Sequence, residues 1–96
     1  MDLARFHHKG LRQLYAEDTA KGVPPAAADK LRKILLALET AESLDQLRRF
    51  PGWRLHALKG ELAGCWSVTV TANWRLIFRY EEPTNTASDL DLLDYH

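Results

Sequence analysis

Two histidines, three basic side chains, an acid and a phenol are the groups of this chain best suited to chemistry. His56 sits in "RLHALKG" and Lys59 follows it three residues later. Arg75 and Arg79 stand in "WRLIFRY", and Asp94, Tyr95 and His96 close the sequence behind the strand-like run "LDLL". Histidine is the usual general acid or base near neutral pH. Lysine and arginine suit a phosphate whose charge grows in a transition state, and a tyrosine ring stacks on a base or donates a proton. The set therefore points to proton transfer around a phosphate. No close-spaced ligand pair such as HxxxH or CxxC occurs, so no metal is expected. Nothing marks Cys65 as an activated nucleophile, and His7 and His8 read as surface residues at a helix entry.

Those groups need elements to hold them. Ala4 and Phe6 alternate with Leu3 and Arg5, which permits a short first strand. Leu11, Leu14 and Tyr15 share one helical face between Lys9 and Asp18. "KGVPP" stops that helix. Ala27, Leu31, Ile34, Leu35 and Leu38 then form the apolar stripe of a second helix from Pro25 to about Ala41. Ser43 reads as the N-cap of a short turn, "SLDQL", and "RRFPGW" ends the helical half. From there the period changes from 3.6 to 2. "WRLHALK", "CWSVTVT" and "WRLIFRY" alternate as strands, and "LDLLD" reads as a last, shorter one. A three-residue loop at Thr71, Ala72 and Asn73 pairs Val70 with Trp74 and Val68 with Leu76, which gathers the apolar groups on one face. The expected fold is α+β, with two N-terminal helices on one face of a small antiparallel-rich sheet. The other face is polar and carries His56, Arg75 and Arg79.

Bulk composition bounds the function. Ninety-six residues make one domain spanning 1–96. An apolar share of 46% and a charged share of 27% are ordinary for a globular chain. No apolar run approaches the roughly 20 residues of a membrane span, and "MDLARFHHKG" has no apolar core of a secretory signal. One cysteine allows no internal disulfide, so a reducing cytoplasm is expected. The net charge is zero but unevenly placed. Residues 1–80 hold all 13 Lys and Arg against 8 acids, whereas residues 81–96 hold 5 acids and no Lys or Arg. A basic body attracts polyanions, and an acidic tail opposes indiscriminate nucleic-acid binding.

The stretches "RFHHKGLRQLY" and "RLHALKGELAGCWSVTVTANWRLIFRY", with the final "DYH", resemble the HigB toxins, a branch of the RelE superfamily in type II toxin–antitoxin systems. The resemblance covers nearly the whole chain. It implies a RelE-like fold and a ribosome-dependent, metal-independent mRNA endoribonuclease that uses the substrate 2′-OH as nucleophile and so inhibits translation. By motif, His56, Asp94, Tyr95 and His96 are the implied catalytic residues, and Lys59, Arg75 and Arg79 the implied phosphate-binding ones. It implies no cofactor. The implied partners are the ribosome, mRNA and a HigA-like helix-turn-helix antitoxin, with DNA reached only through that antitoxin and no membrane. The neutral charge favours an alternative: a catalytically weak toxin-like module that binds RNA or antitoxin. A ribosome-independent RNase using the same residues is a third reading.

Overall fold

A computed structural model describes residues 1–95, and His96 lies outside the described residues. Five strands form one sheet in the order β1-β5-β4-β3-β2. They are β1 Asp2–Phe6, β2 His56–Ala57, β3 Cys65–Thr69, β4 Trp74–Glu81 and β5 Thr86–Asp94. β1 runs parallel to β5, and the other pairs are antiparallel. The helices are α1, Lys9–Glu17, and α2, Ala28–Thr40, the latter preceded by a 3-10 turn at Pro25–Ala27. The expected α+β arrangement is what forms.

The helical stripe and the strand alternation meet in one core. Leu11, Leu31, Ile34 and Leu38 from the helices are fully buried with Val68, Leu76, Phe78 and Leu90 from the sheet. Removing such side chains from water supplies the main driving force, about 1.5–3 kcal/mol for each fully buried Leu, Ile or Phe. α1 begins at His8, whose Nδ1 accepts the Leu11 N–H at 3.0 Å, and it ends at Asp18 in a left-handed conformation. His8 is thus an N-cap and not a bystander.

Gly10 fixes how α1 enters the fold. A Cβ there would come within 2.0 Å of the Gly22 carbonyl oxygen, which belongs to the turn between the helices. Backbone cannot yield as a flexible side chain can. We expect Gly10→Ala to destabilise by at least the 1–3 kcal/mol or so typical of overpacking, read as a lowered thermal midpoint, although alanine favours helix. An unchanged midpoint would show that the turn can move aside.

Three sequence expectations need correction. The strand expected over "WRLHALK" is only His56–Ala57, because Arg54 takes a left-handed conformation (φ +50) that breaks the extended run. The last strand is the longest at nine residues, not a short one. Its first half, "TASD", hides from an apolar pattern because buried Ala87 and Ser88 are small. Consequently β4 and β5 are joined by a short turn at residues 82–85. Ser43 occupies the N-cap position of the 3-10 helix Leu44–Arg49 but makes no side-chain cap. There Gln46 Oε1 accepts the Glu42 N–H at 2.9 Å instead.

The short first strand forms at Asp2–Phe6, and Leu3 and Phe6 pack against the core. Ala4 pairs with Ser88 and Phe6 with Leu90. Between these pairs, Arg5 and Asp89 both have φ +53. The matched irregularity resets the alternation of both strands by one residue, as a bulge does.

Candidate functional site

The hairpin register settles which side chains share the uncovered face. Val68 pairs with Leu76 and Thr69 with Arg75, and Val70 N–H donates to Trp74 O at 3.0 Å. This is the register that a three-residue loop requires. Ser67 pairs with Ile77 and Cys65 with Arg79, while His56 pairs with Ser67. His56, Arg75 and Arg79 therefore rise from the face opposite the helices.

His56 stands at the sheet margin with its ring exposed. Its Nδ1 lies 2.8 Å from the Arg54 carbonyl oxygen. A carbonyl only accepts, so Nδ1 carries a proton, and the tautomer that fits this contact has its lone pair on Nε2. The left-handed turn at Arg54 aims that carbonyl back at the ring two residues on. Arg54 is thus a supporting residue that sequence reading missed, and its type carries no signal for the role. Across from His56, Ser67 is fully buried and its Oγ has no hydrogen-bond partner among the described residues. Lys59 is exposed and precedes the 3-10 turn Gly60–Leu62, where the chain leaves β2.

Arg75 and Tyr95 form a second station. Arg75 Nη1 donates to the carbonyls of Thr71 at 2.7 Å and Trp74 at 3.1 Å. Its guanidinium carbon lies 5.2 Å from the Tyr95 ring centroid, a cation–π contact. Tyr95 N–H donates to Asn73 O at 2.5 Å. The hairpin loop therefore holds Tyr95 beyond the last ladder pair, Trp74 with Asp94.

That pair separates residues that the sequence reading placed together. Asp94 is opposite Trp74, which packs against the core, so its side chain leaves from the helix side of the ribbon. Tyr95 returns to the open face, but beside Arg75 rather than His56. Along the row His56, Ser67, Ile77, Asp91, three strand spacings intervene between β2 and β5, roughly 14 Å between Cα atoms. The expected meeting of His56 with the acid and phenol of the terminus is not formed among the described residues, and the role given to His96 falls outside them. Arg79 points along the same face and meets Asp89 at 3.7 Å. Arg5 and His7 reach that same carboxylate, and sequence reading had assigned neither to the site. Among the described residues, no group of three or more His, Cys, Asp or Glu is placed to hold a metal ion.

The architecture has solved counterparts. YafQ from Escherichia coli superposes with a TM-score of 0.62 at 12% identity, covering 98% of this chain and 93% of that one. A YoeB/ParE toxin from Agrobacterium tumefaciens gives 0.62 at 16% identity, covering 100% and 99%. At such identities the likeness establishes the fold alone. Residues 4–96 match the family described as the RelE-like toxin of type II toxin–antitoxin system HigB. The chain is 40% identical over 91 residues to "Endoribonuclease HigB" of Proteus vulgaris, covering 95% of this chain and 96% of that protein. It is 32% identical over 87 residues to "Toxin HigB-1" of Vibrio cholerae, covering 90% and 92%. The chain belongs to the HigB-like toxins of type II toxin–antitoxin systems.

Proposed function

We propose that this toxin is an endoribonuclease that cuts messenger RNA on the translating ribosome and so inhibits translation. The observation that carries the reading is the His56 ring, exposed on the open face with Nδ1–H committed to the Arg54 carbonyl. The similarity to an endoribonuclease over nearly the whole chain supports it. In the proposed reaction, Nε2 of His56 takes the proton of a ribose 2′-OH. The freed oxygen attacks the adjacent phosphorus, the bond to the 5′ oxygen breaks, and that oxygen receives a proton. His96 is the proposed donor of that proton, and Tyr95 orients a base. Arg75 and Lys59 stabilise the pentavalent phosphorane, each worth about 2.7–4 kcal/mol by analogy with removed oxyanion donors. On this reading no metal takes part, and RNA is chosen over DNA because the nucleophile is the 2′-OH.

His56 and Arg75 lie two strands and two residues apart on one face, on the order of 12 Å between Cα atoms. Two side chains reaching inward leave room for a phosphodiester. The spread of the stations gives the ribosome a role, since substrate alignment must come from outside so open a site. Asp94 acts, on this reading, through the terminus rather than on His56.

Type II systems pair a toxin with an antitoxin. The proposed one is a HigA-like helix-turn-helix protein that carries the pair to DNA, with both working in the cytoplasm beside ribosomes. No helix among the described residues is long and apolar enough to cross a membrane.

Mapping transcript 5′ ends after induction tests the activity. New ends inside translated reading frames, with growth arrest relieved by His96→Ala, are the expected result. An unchanged profile with intact antitoxin binding would leave only a binding module, the reading that the zero net charge favours. Cleavage of naked RNA in buffer would remove the ribosome from the account.

A further inference from the structure

Away from His56 and Arg75, three basic side chains gather on one carboxylate. Arg5 Nε and His7 Nε2 each lie 3.1 Å from Asp89 Oδ1, and Arg79 Nε lies 3.7 Å from Asp89 Oδ2. The acid is the least exposed member, at 25%, against 70% for Arg5 and 49% for Arg79. Two permanent positive charges on one negative charge leave an excess of one, before His7 is counted. Asp89 engages each arginine through Nε. Arg5 is 70% exposed, so its guanidinium fork is open to solvent. Such a fork is the arrangement that binds a phosphate through two parallel N–H donors.

The backbone is shaped to hold it. Arg5 and Asp89 lie on parallel strands between the pairs Ala4–Ser88 and Phe6–Leu90, both left-handed at φ +53. Non-glycine residues rarely adopt that region, and such strained conformations persist only where the surroundings over-determine them. Gly64 clears space beside the fork, because a Cβ there would come within 2.8 Å of Arg79 Nη1. The cluster also continues the open face, since Arg79 lies four residues from Arg75 on β4, roughly 13 Å along the strand.

We infer that Arg5 and Arg79, preorganised by Asp89, form a second phosphate subsite that holds the RNA backbone away from the scission point. The inference rests on the endoribonuclease reading for its ligand. Asp89 acts as a positioning residue between the two arginines. Sequence specificity does not arise here, because phosphate contacts position and base contacts specify.

The test uses the full-length protein and a short 2′-O-methyl RNA, which lacks the nucleophile and cannot be cut. Binding is followed against salt. Each phosphate contact to a single strand contributes about 0.7 to the slope of log affinity on log salt. Arg79→Gln and, separately, Arg5→Asn should each weaken binding and lower that slope by about 0.7. Asparagine tolerates the left-handed conformation, so the Arg5 variant guards against misfolding, which the melting curve checks. Lys33→Gln, on exposed α2 surface, should leave the slope unaltered. Equal slopes in parent and both arginine variants overturn the inference, and so does a parent that fails to bind at low salt. Failure of the parent to cut translated mRNA would count against the proposed activity and not against this subsite, because the oligonucleotide reports binding alone.

Discussion

Replacing His56 by alanine should slow mRNA cleavage by about 10²- to 10⁴-fold, the usual contribution of a positioned general base. The fold should survive, because the ring is exposed and its one hydrogen bond among the described residues goes to a neighbouring carbonyl. His56→Asn separates two roles. Its amide nitrogen stands where Nδ1 was and still donates to Arg54 O, but nothing remains at the Nε2 position to take a proton. If proton transfer is what His56 supplies, the asparagine variant is as slow as alanine. If it merely locks the turn at Arg54, asparagine restores most of the rate, and the mechanism given to His56 is wrong. Single-turnover cleavage on programmed ribosomes reads this directly, since the loss should fall on the rate constant and not on half-saturation.

How far such a site could be foreseen depends on the physics behind each residue. The helices and the β3–β4 hairpin were legible because burial imposes a period. Leu31, Ile34, Leu35 and Leu38 recur on one helical face, and Val68 opposite Leu76 is the register that keeps apolar groups together. His56, Arg75 and Arg79 could be placed on the uncovered face for the same reason. The terminal residues could not. Asp94 and Tyr95 fall on opposite sides of the ribbon because alternation continues to the end of β5, a consequence set by its pairing with Trp74.

The cluster around Asp89 escaped for a different cause. A bulge breaks the period on which pattern reading relies, and Arg5, unlike glycine or asparagine, gives no notice of a left-handed conformation. One signal was available. Asp89 interrupts a strand that otherwise alternates, and aspartate is among the few residues that tolerate that region. Reading it as a break in register would have moved Leu3 to the core and Arg5 to the open face.

That dependence of the site on the core can be measured at Phe78. It is the largest fully buried side chain, pairs with Trp66, and sits where the β4–β5 register shifts between Ile77 and Arg79. Phe78→Ala removes most of a ring from a fully buried position in the core. The expected cost is about 3–5 kcal/mol, against roughly 5–15 kcal/mol for a whole domain. In a chain of this size each kcal/mol moves the thermal midpoint by about 4–8 °C, so the drop should be on the order of 15–30 °C. Phe78→Leu, which refills much of the volume, should cost less than about 1.5 kcal/mol. Cleavage must fall with the folded fraction in both variants, and when normalised to folded protein it should return close to the parent rate. This distinguishes Phe78 from His56, whose loss persists at any temperature where the chain is folded. A Phe78→Ala protein that melts within a few degrees of the parent would mean that β4 is not the strand on which the open face is built.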